Sequence, residues 1–134
     1  MENALRLEVI TPDKLVVSQV ADYVSAPGAE GEFGVLPNHV NLLSALAIGY
    51  LRFSAGGKSR SVFISGGFAE VSGNTMTVLA DAAELAEDIN QARAQAAKER
   101  AEKRLADKTA AVDTLRAEKS LKRAVGRLNI AARR

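Results

Sequence analysis

The feature that most constrains the fold of this chain is an abrupt change of composition before residue 85. Nine of the ten glycines, all three prolines and all six aromatic residues lie before residue 74. Alanine then takes over, with sixteen alanines between Ala80 and Ala132. Glycine, proline and β-branched residues are typical of turns and strands, whereas alanine, glutamate, lysine, arginine and leucine favour helix. The sequence therefore predicts an α+β fold, with an all-β part followed by a helical part and a change near Asp81–Glu87.

Short alternating runs of apolar and polar residues, separated by turn signals, predict a β-sandwich or flattened barrel over residues 1–84. The predicted strands and turns are Leu5–Val9, a turn at Thr11–Lys14, Leu15–Val20, Asp22–Ser25, Val35-Leu36, Leu42–Leu46, Tyr50–Ser54, a Gly-Gly hairpin turn at Ala55–Lys58, Ser59–Ser65, a break at Gly66-Gly67, Phe68–Val71, a turn at Ser72–Asn74 and Thr75–Leu79.

Residues 88–134 are predicted to form an antiparallel α-helical hairpin. Asp88 and Gln91 have the spacing of a capping box for a first helix that runs to about Ala106, and Asp113 is a candidate cap for a second. A buried Leu or Ile contributes ~1.5–3 kcal/mol, whereas ordering costs ~1–2 kcal/mol per residue, so a hairpin with so few large side chains is expected to dock weakly. The expected apolar stripes are Ile89, Ala92, Ala96 and Leu105 in the first helix, and Val112, Leu115, Leu121, Val125, Leu128 and Ala132 in the second.

Glycine and proline are densest in the stretch Pro27–His39. It holds three of the ten glycines, two of the three prolines and the only histidine. Residues of these two types fix a particular backbone path. Two interpretations stay open: a loop shaped to fit a partner, or a connection that turns the chain between two sheets.

Most catalytic sites are excluded by the residues that the chain contains. One histidine and no cysteine exclude ordinary zinc sites and Cys–His pairs, and no Gly-x-Ser-x-Gly motif occurs. Gly57-Lys58-Ser59 copies the end of a P-loop, but Arg52 stands where that loop needs glycine and a strand is predicted to follow. We expect no catalytic residue and no metal site. The sequence also shows no membrane-spanning run, secretory signal or transit peptide.

Charge is unevenly spread along the chain. Residues 1–83 carry −3, residues 84–113 carry −1 and residues 114–134 carry +6. The basic end is interpreted as an exposed helix face, as a surface for an acidic protein or as a nucleic-acid-binding segment, although no aromatic residue is interleaved for base stacking. Its cations include Lys119, Lys122, Arg123, Arg127, Arg133 and Arg134.

Three segments, together with the chain length and the helical ending, resemble the epsilon subunits of F-type ATP synthases of the bacterial or chloroplast kind. The segments are Glu30–His39, Ile64–Val71 and Thr77–Glu84. The resemblance covers essentially the whole chain, in order. It implies a non-catalytic subunit of the rotor, in which residues 1–84 bind the gamma subunit and the c-ring and residues 88–134 are regulatory.

The resemblance also implies roles for particular residues. Glu32 and His39 match family residues that lie near the c-ring. The hairpin folds down in one state and extends along gamma in another, where its second helix approaches acidic segments of the alpha and beta subunits and blocks ATP hydrolysis. The location implied is peripheral, at the cytoplasmic face of a plasma membrane or at a thylakoid membrane. The matching basic residues of the inhibitory helix are Arg116, Lys119, Lys122, Arg123 and Arg127.

Some family members bind a regulatory ATP on the folded hairpin, through a motif of Ile or Leu, Asp, two variable residues, Arg and Ala. Here Ile89, Asn90, Arg93 and Ala94 occupy that motif. Asn90 replaces the aspartate and removes a charge that could orient the arginine, which predicts weakened nucleotide binding. No other cofactor is expected. The matching residues outside the motif are an upstream acid, Glu84, and two downstream arginines, Arg123 and Arg127.

Overall fold

The computed structural model describes residues 4–106 and 114–132. Within these ranges a β-sandwich of eight strands precedes two helices. The elements are β1 Leu5–Ile10, β2 Leu15–Ala21, β3 Tyr23–Gly28, β4 Gly31–Val35, β5 Leu42–Ala55, β6 Lys58–Ser72, β7 Thr75–Ala80, β8 Ala83–Leu85, a 3₁₀ turn at Ala86–Asp88, α1 Gln91–Ala106 and α2 Thr114–Ala131.

The two long strands β5 and β6 organise the sheet. Its strand order is β2-β1-β7-β6-β5-β3-β4, with β8 paired to β6, and β1 runs parallel to β7 while the other pairs are antiparallel. The strands β5 and β6 keep one register along their pairing, from Leu42↔Val71 to Ala55↔Lys58. Within β6, Gly66 and Gly67 have φ of 72° and 112°, and a Cβ at Gly67 would lie 2.1 Å from the carbonyl oxygen of Leu79. Only glycine fits at position 67, because its backbone approaches β7 so closely.

The main core lies between the two layers of the sandwich. Side chains that alternate between buried and exposed positions along the strands fill it. Odd-numbered residues of β1 and even-numbered residues of β7 are buried, as the period of two requires. The largest side chains of this core are Leu5, Leu7, Leu51, Phe53, Ile64 and Met76. Full burial of each stabilises the fold by about 1.5–3 kcal/mol.

Three predictions about the strands were incomplete. The runs Leu42–Leu46 and Tyr50–Ser54 form one strand, because Gly49 does not interrupt β5 but makes room for Pro27 of β3: a Cβ there would lie 2.8 Å from Pro27 Cβ. Ser59–Ser65 and Phe68–Val71 likewise form one strand, which continues through Gly66 and Gly67. The stretch Pro27–His39 is mostly a hairpin, since β3 ends at Gly28 and β4 begins at Gly31. The short strand β8 was not predicted.

The predicted start of the first helix was wrong. Asp88 ends the 3₁₀ turn, and α1 begins at Gln91. Asn90 is the cap: its Oδ1 accepts a hydrogen bond of 3.0 Å from the backbone N–H of Arg93, and its carbonyl accepts one from Ala94. Asparagine is among the best N-cap residues, so Asn90 serves the helix directly. The candidate cap Asp113 lies outside the described residues.

The helices pack through alanines rather than through the predicted larger residues. Ala94 and Ala101 of α1 are buried, and so are Ala117 and Ala124 of α2. Leu115 is 62% exposed, Ala92 and Ala132 are exposed, and Val112 lies outside the described residues. Alanine side chains give few dispersion contacts each, so the two helices hold each other weakly. Neither described helix is long and apolar enough to cross a membrane.

Candidate functional site

The hairpin docks on the sheet through a small apolar cluster, separate from the main core. The cluster joins residues of β6, the 3₁₀ turn and the end of α2, with Ile48 and Tyr50 of β5 packed against it. Only two of its buried members, Ile130 and Ala131, come from α2. We call it the docking cluster; its buried members are Phe63, Ala86, Ile89, Ile130 and Ala131.

Gly126 allows α2 to approach the sheet closely. A Cβ at this position would lie 3.0 Å from Cε1 of Phe63, 3.5 Å from Cδ1 of the same ring and 3.9 Å from Cγ2 of Ile48. Phe63 is fully buried, so its ring has little room to retreat. Gly126 is the one glycine of the helical half and costs the helix about 1 kcal/mol relative to alanine. That cost is offset by the contact with the sheet.

Arg127 holds the same face of α2 against the sheet through two interactions. Its Nε donates a hydrogen bond of 2.7 Å to Oε1 of Glu84, on β8. Its guanidinium carbon lies 4.5 Å from the centre of the Phe63 ring, in cation–π contact. The two charged side chains are 26% and 35% exposed, so solvent screening limits the ion pair to about 1 kcal/mol.

A cavity of about 360 Å³ opens beside Arg127 at the junction of the sheet and both helices. Its lining contains most of the predicted nucleotide residues and three that the sequence did not single out as ligands, Asp88, Ala97 and Arg100. Three arginines and two acids face one space, and a small polyanion would fit its size and its net positive charge. The lining residues are Glu84, Asp88, Asn90, Arg93, Ala94, Ala97, Arg100 and Arg127.

Two predicted nucleotide residues do not line the cavity. Ile89 is buried in the docking cluster instead. The Nη2 of Arg123 donates a hydrogen bond of 3.1 Å to Oγ of Ser120 on its own helix. Arg100 was missed, although it lies seven residues after Arg93, two helical turns further along the same face of α1.

Glu32 and His39 occupy neighbouring but different elements. Glu32 lies exposed on β4, in a polar cleft that also contains Tyr23 and Arg52. His39 lies in the loop 36–41, where its N–H donates to the carbonyl of Leu36 at 3.2 Å. Its Nδ1 lies 2.6 Å from the carbonyl oxygen of Val40.

The predicted basic residues of α2 differ in exposure. Arg116, Lys119 and Lys122 are exposed, whereas Arg123 and Arg127 are half-buried. Arg127 is engaged with Glu84 and Phe63, as described above. A state that presented all five cations to one partner would require α2 to leave the sheet.

Exposed and half-buried apolar residues form a row across one face of the sheet. Each member pairs with the next across five strands: Ala45 with Phe68, Phe68 with Leu79, Leu79 with Ile10, and Ile10 with Leu15. Phe68, Leu79 and Leu15 are each more than half exposed. Contiguous apolar surface of this kind marks an interaction site. We call it the apolar row.

Comparison with known families identifies this architecture. Residues 4–86 match the profile described as "ATP synthase, Delta/Epsilon chain, beta-sandwich domain", and residues 87–132 match "ATP synthase, Delta/Epsilon chain, long alpha-helix domain". An ATP synthase epsilon chain of Nitratidesulfovibrio vulgaris is 59% identical over 130 residues, which are 97% of each chain. The chain belongs to the epsilon subunits of F-type ATP synthases.

Further epsilon chains and solved structures agree with this assignment. An epsilon chain of Syntrophobacter fumaroxidans is 50% identical over 131 residues, 98% of each chain. A chain in the cryo-EM structure of the Euglena gracilis mitochondrial ATP synthase superposes with a TM-score of 0.80 at 26% identity, covering 98% of this chain and 82% of that one. This epsilon subunit is therefore an accessory, central-stalk component of the synthase rotor, peripheral to the membrane through the complex.

Proposed function

We propose that this epsilon subunit, without an active site of its own, couples gamma to the c-ring and inhibits ATP hydrolysis through its hairpin. The observation that carries the proposal is the small, separable contact between hairpin and sheet. Among residues 4–106 and 114–132, the docking cluster has five buried members and the main core has nineteen. A hairpin held by so little burial can exchange between a docked and an extended state, and partners can shift that equilibrium.

Charge supports an inhibitory role for the extended state. Residues 114–134 carry +6, and three of the predicted inhibitory cations, Arg116, Lys119 and Lys122, are already exposed on the docked helix. Undocking would release Arg127 from Glu84 and add it to the available cations. Acidic segments of the alpha and beta subunits are the partners that such a helix fits. On this proposal residues 1–84 hold the rotor and residues 88–134 regulate it, at the cytoplasmic face of a plasma membrane or at a thylakoid membrane.

The apolar row is the proposed contact with gamma. It lies across five strands, away from the hairpin, so that gamma stays bound in both states of α2. The loop 36–41 and the neighbouring strand β4 are the proposed contact with the c-ring, through His39 and Glu32. This assignment rests on the position of these two residues in the family pattern and on their accessibility.

A negative charge in the apolar row should strongly weaken the binding of this subunit to gamma. Phe68→Asp and Leu79→Asp each remove an apolar side chain that would contribute ~1.5–3 kcal/mol when buried, and each buries a carboxylate that lacks a partner. We expect the affinity of the isolated subunit for gamma, measured by titration calorimetry, to fall by about 100-fold or more. Lys58→Asp, at the exposed β5–β6 turn, is the control and should bind normally. Wild-type affinity in both row variants, with normal circular dichroism, would disprove the assignment.

A second proposed function, ATP sensing, is favoured by the cavity beside Arg127. Its arginines come from both helices and Glu84 comes from the sheet, so a nucleotide held there would bind only the docked state and stabilise it. Phosphate would have to compete with Glu84 for Arg127, which adds to the expected weakness of binding. Nucleic-acid binding, the remaining alternative, has no support in family membership or in the arrangement of the basic residues.

Calorimetric titration of Mg-ATP into the isolated subunit tests the sensor. We expect weak binding, and a loss of about tenfold or more in Arg93→Ala and Arg100→Ala, since each removes a charge-assisted hydrogen bond of ~1.5–3 kcal/mol. Arg104→Ala, exposed on the same helix and outside the cavity, should bind like the wild type. Absence of heat at millimolar ATP would exclude this function.

A further inference from the structure

Two asparagines connect the loop 36–41 to the turn between β6 and β7. The backbone N–H of Asn38 donates to Oδ1 of Asn74, and Nδ2 of Asn74 donates in return to Oδ1 of Asn38 at 3.0 Å. The carbonyl of Asn74 also accepts a hydrogen bond of 2.8 Å from the N–H of Arg6, on β1. The pair therefore links the loop to the edge of the main core, across 36 residues of sequence.

Both asparagines have left-handed backbone conformations, with φ of 66° at Asn38 and 61° at Asn74. Among the described residues, no other non-glycine residue has a positive φ. Glycine adopts this conformation more easily than any other residue, and asparagine tolerates it best among those with a side chain. The backbone alone would favour glycine at both positions, so the amide groups are what these two asparagines add.

Burial contributes little to the order of this loop. Leu36 and Val40, on either side of Asn38 and His39, are both more than half exposed. The contacts of His39 described above are with Leu36 and Val40, which belong to the same loop. Anchoring to the rest of the fold therefore depends on polar contacts, and the amide pair supplies two of them.

We infer that Asn38 and Asn74 are positioning residues, which hold the loop in the conformation that presents His39 to its partner. The inference rests on the proposed contact of His39 with the c-ring. A loop ordered before binding loses less conformational freedom when the contact forms, so the amide pair would strengthen that contact without touching the partner. It also connects the loop to β1 and β7, two strands that carry the apolar row.

Glycine substitutions test the amides without disturbing the backbone. Asn74→Gly and Asn38→Gly keep the positive φ and remove one amide each. We expect backbone amides 38–41 of the isolated subunit to exchange hydrogen about five- to tenfold faster in Asn74→Gly, which loses both hydrogen bonds, and less so in Asn38→Gly, which keeps the backbone N–H of residue 38 bonded to Asn74. The double variant should exchange no faster than Asn74→Gly, and the core amides should be unchanged. Asn74→Asp should retain most of the protection, because Asn38 can rotate its amide to donate to the carboxylate.

Proton pumping driven by ATP in the reconstituted synthase then separates the two parts of the inference. We expect Asn74→Gly to lower pumping per ATP hydrolysed, as His39→Ala does, with Asn74→Asp restoring it. Unchanged exchange in the glycine variants would overturn the anchoring role. Faster exchange with normal pumping, where His39→Ala impairs pumping, would overturn the positioning role and leave the c-ring contact standing. Normal pumping in His39→Ala would refute the contact, and the inference with it.

Discussion

Replacing Gly126 by leucine is expected to release the hairpin from the sheet and to deepen the inhibition of ATP hydrolysis in the assembled synthase. The Cβ alone would stand 3.0 Å from Cε1 of the buried Phe63 ring, which is closer than ordinary van der Waals contact, so a side chain at this position pushes α2 and β6 apart. Overpacking of this kind costs about 1–3 kcal/mol, which lowers the docking equilibrium constant by about five- to 150-fold. Leucine meanwhile stabilises the helix by roughly 0.8–1 kcal/mol relative to glycine. We therefore expect α2 to remain helical after it separates from the sheet.

Hydrogen exchange and ATPase assays together test this prediction. In the isolated Gly126→Leu subunit, exchange should rise in β8 and in the segment of β6 around Phe63, while helical circular dichroism is retained or increased. Thr114→Leu introduces the same side chain at an exposed, uncharged position of α2 and should change neither the exchange rates nor the inhibition. Gly126→Ala should fall between wild type and Gly126→Leu. Wild-type exchange and wild-type inhibition in Gly126→Leu would show that close docking at Gly126 does not control the hairpin.

Removing residues 88–134 is expected to raise the ATPase activity of the assembled synthase, the opposite of the effect of Gly126→Leu. It should not affect binding to gamma. Among the described residues, no buried member of the main core lies beyond Ala83, and Leu85, which packs against it, is retained, so the strands keep their packing without the helices. Phe68 and Leu79 of the apolar row are more than half exposed while the hairpin is docked, so the hairpin does not cover them. ATPase activity of the catalytic complex should therefore rise severalfold while gamma still binds.

Truncation uncovers Phe63, Ile48 and Tyr50, which α2 otherwise covers. A truncated subunit that also carries Phe63→Thr has a less apolar surface at this position and is less prone to aggregate. The full-length Phe63→Thr variant is the matched control, since it loses the docking contact but keeps the inhibitory helix. Its ATPase rate should fall below that of the wild type, whereas the truncated form should exceed it.

Much of the β part was predictable because local signals and tertiary structure agree there. Alternation located β1 and β7, and the Gly-Gly turn located the β5–β6 hairpin. The continuity of β5 through Gly49 was not predictable, because it depends on Pro27 of a neighbouring strand. The three-residue strand β8 is too short to show a pattern of its own, and it is defined by its pairing with β6.

The helical part shows the limits of apolar periodicity. The larger residues were expected to form the buried stripe, yet Leu115 is exposed and the helices meet through alanines such as Ala101 and Ala124. A close alanine interface depends on the distance between the two helix axes, which no single helix encodes. The cap was displaced from Asp88 to Asn90 because the 3₁₀ turn occupies the preceding residues.

The candidate nucleotide residues were predicted through the family resemblance, and the fold brings five of the seven around one cavity. They are Glu84, Asn90, Arg93, Ala94 and Arg127. The helical spacing of Arg93, Ala97 and Arg100 would have identified Arg100. The contact of Gly126 with Phe63 lies beyond sequence reasoning, although a lone glycine in an alanine-rich helix is a signal that a close approach is required.

The most direct test of the central claim is the initial rate of ATP hydrolysis by one catalytic complex reconstituted with four forms of this subunit. The forms are the truncated chain, the wild type, Thr114→Leu and Gly126→Leu, each at saturating concentration with binding to gamma verified. A hairpin that inhibits only after it leaves the sheet predicts the highest rate with the truncated chain, equal intermediate rates with the wild type and Thr114→Leu, and the lowest rate with Gly126→Leu. Equal rates with the truncated and the wild-type subunit would contradict it.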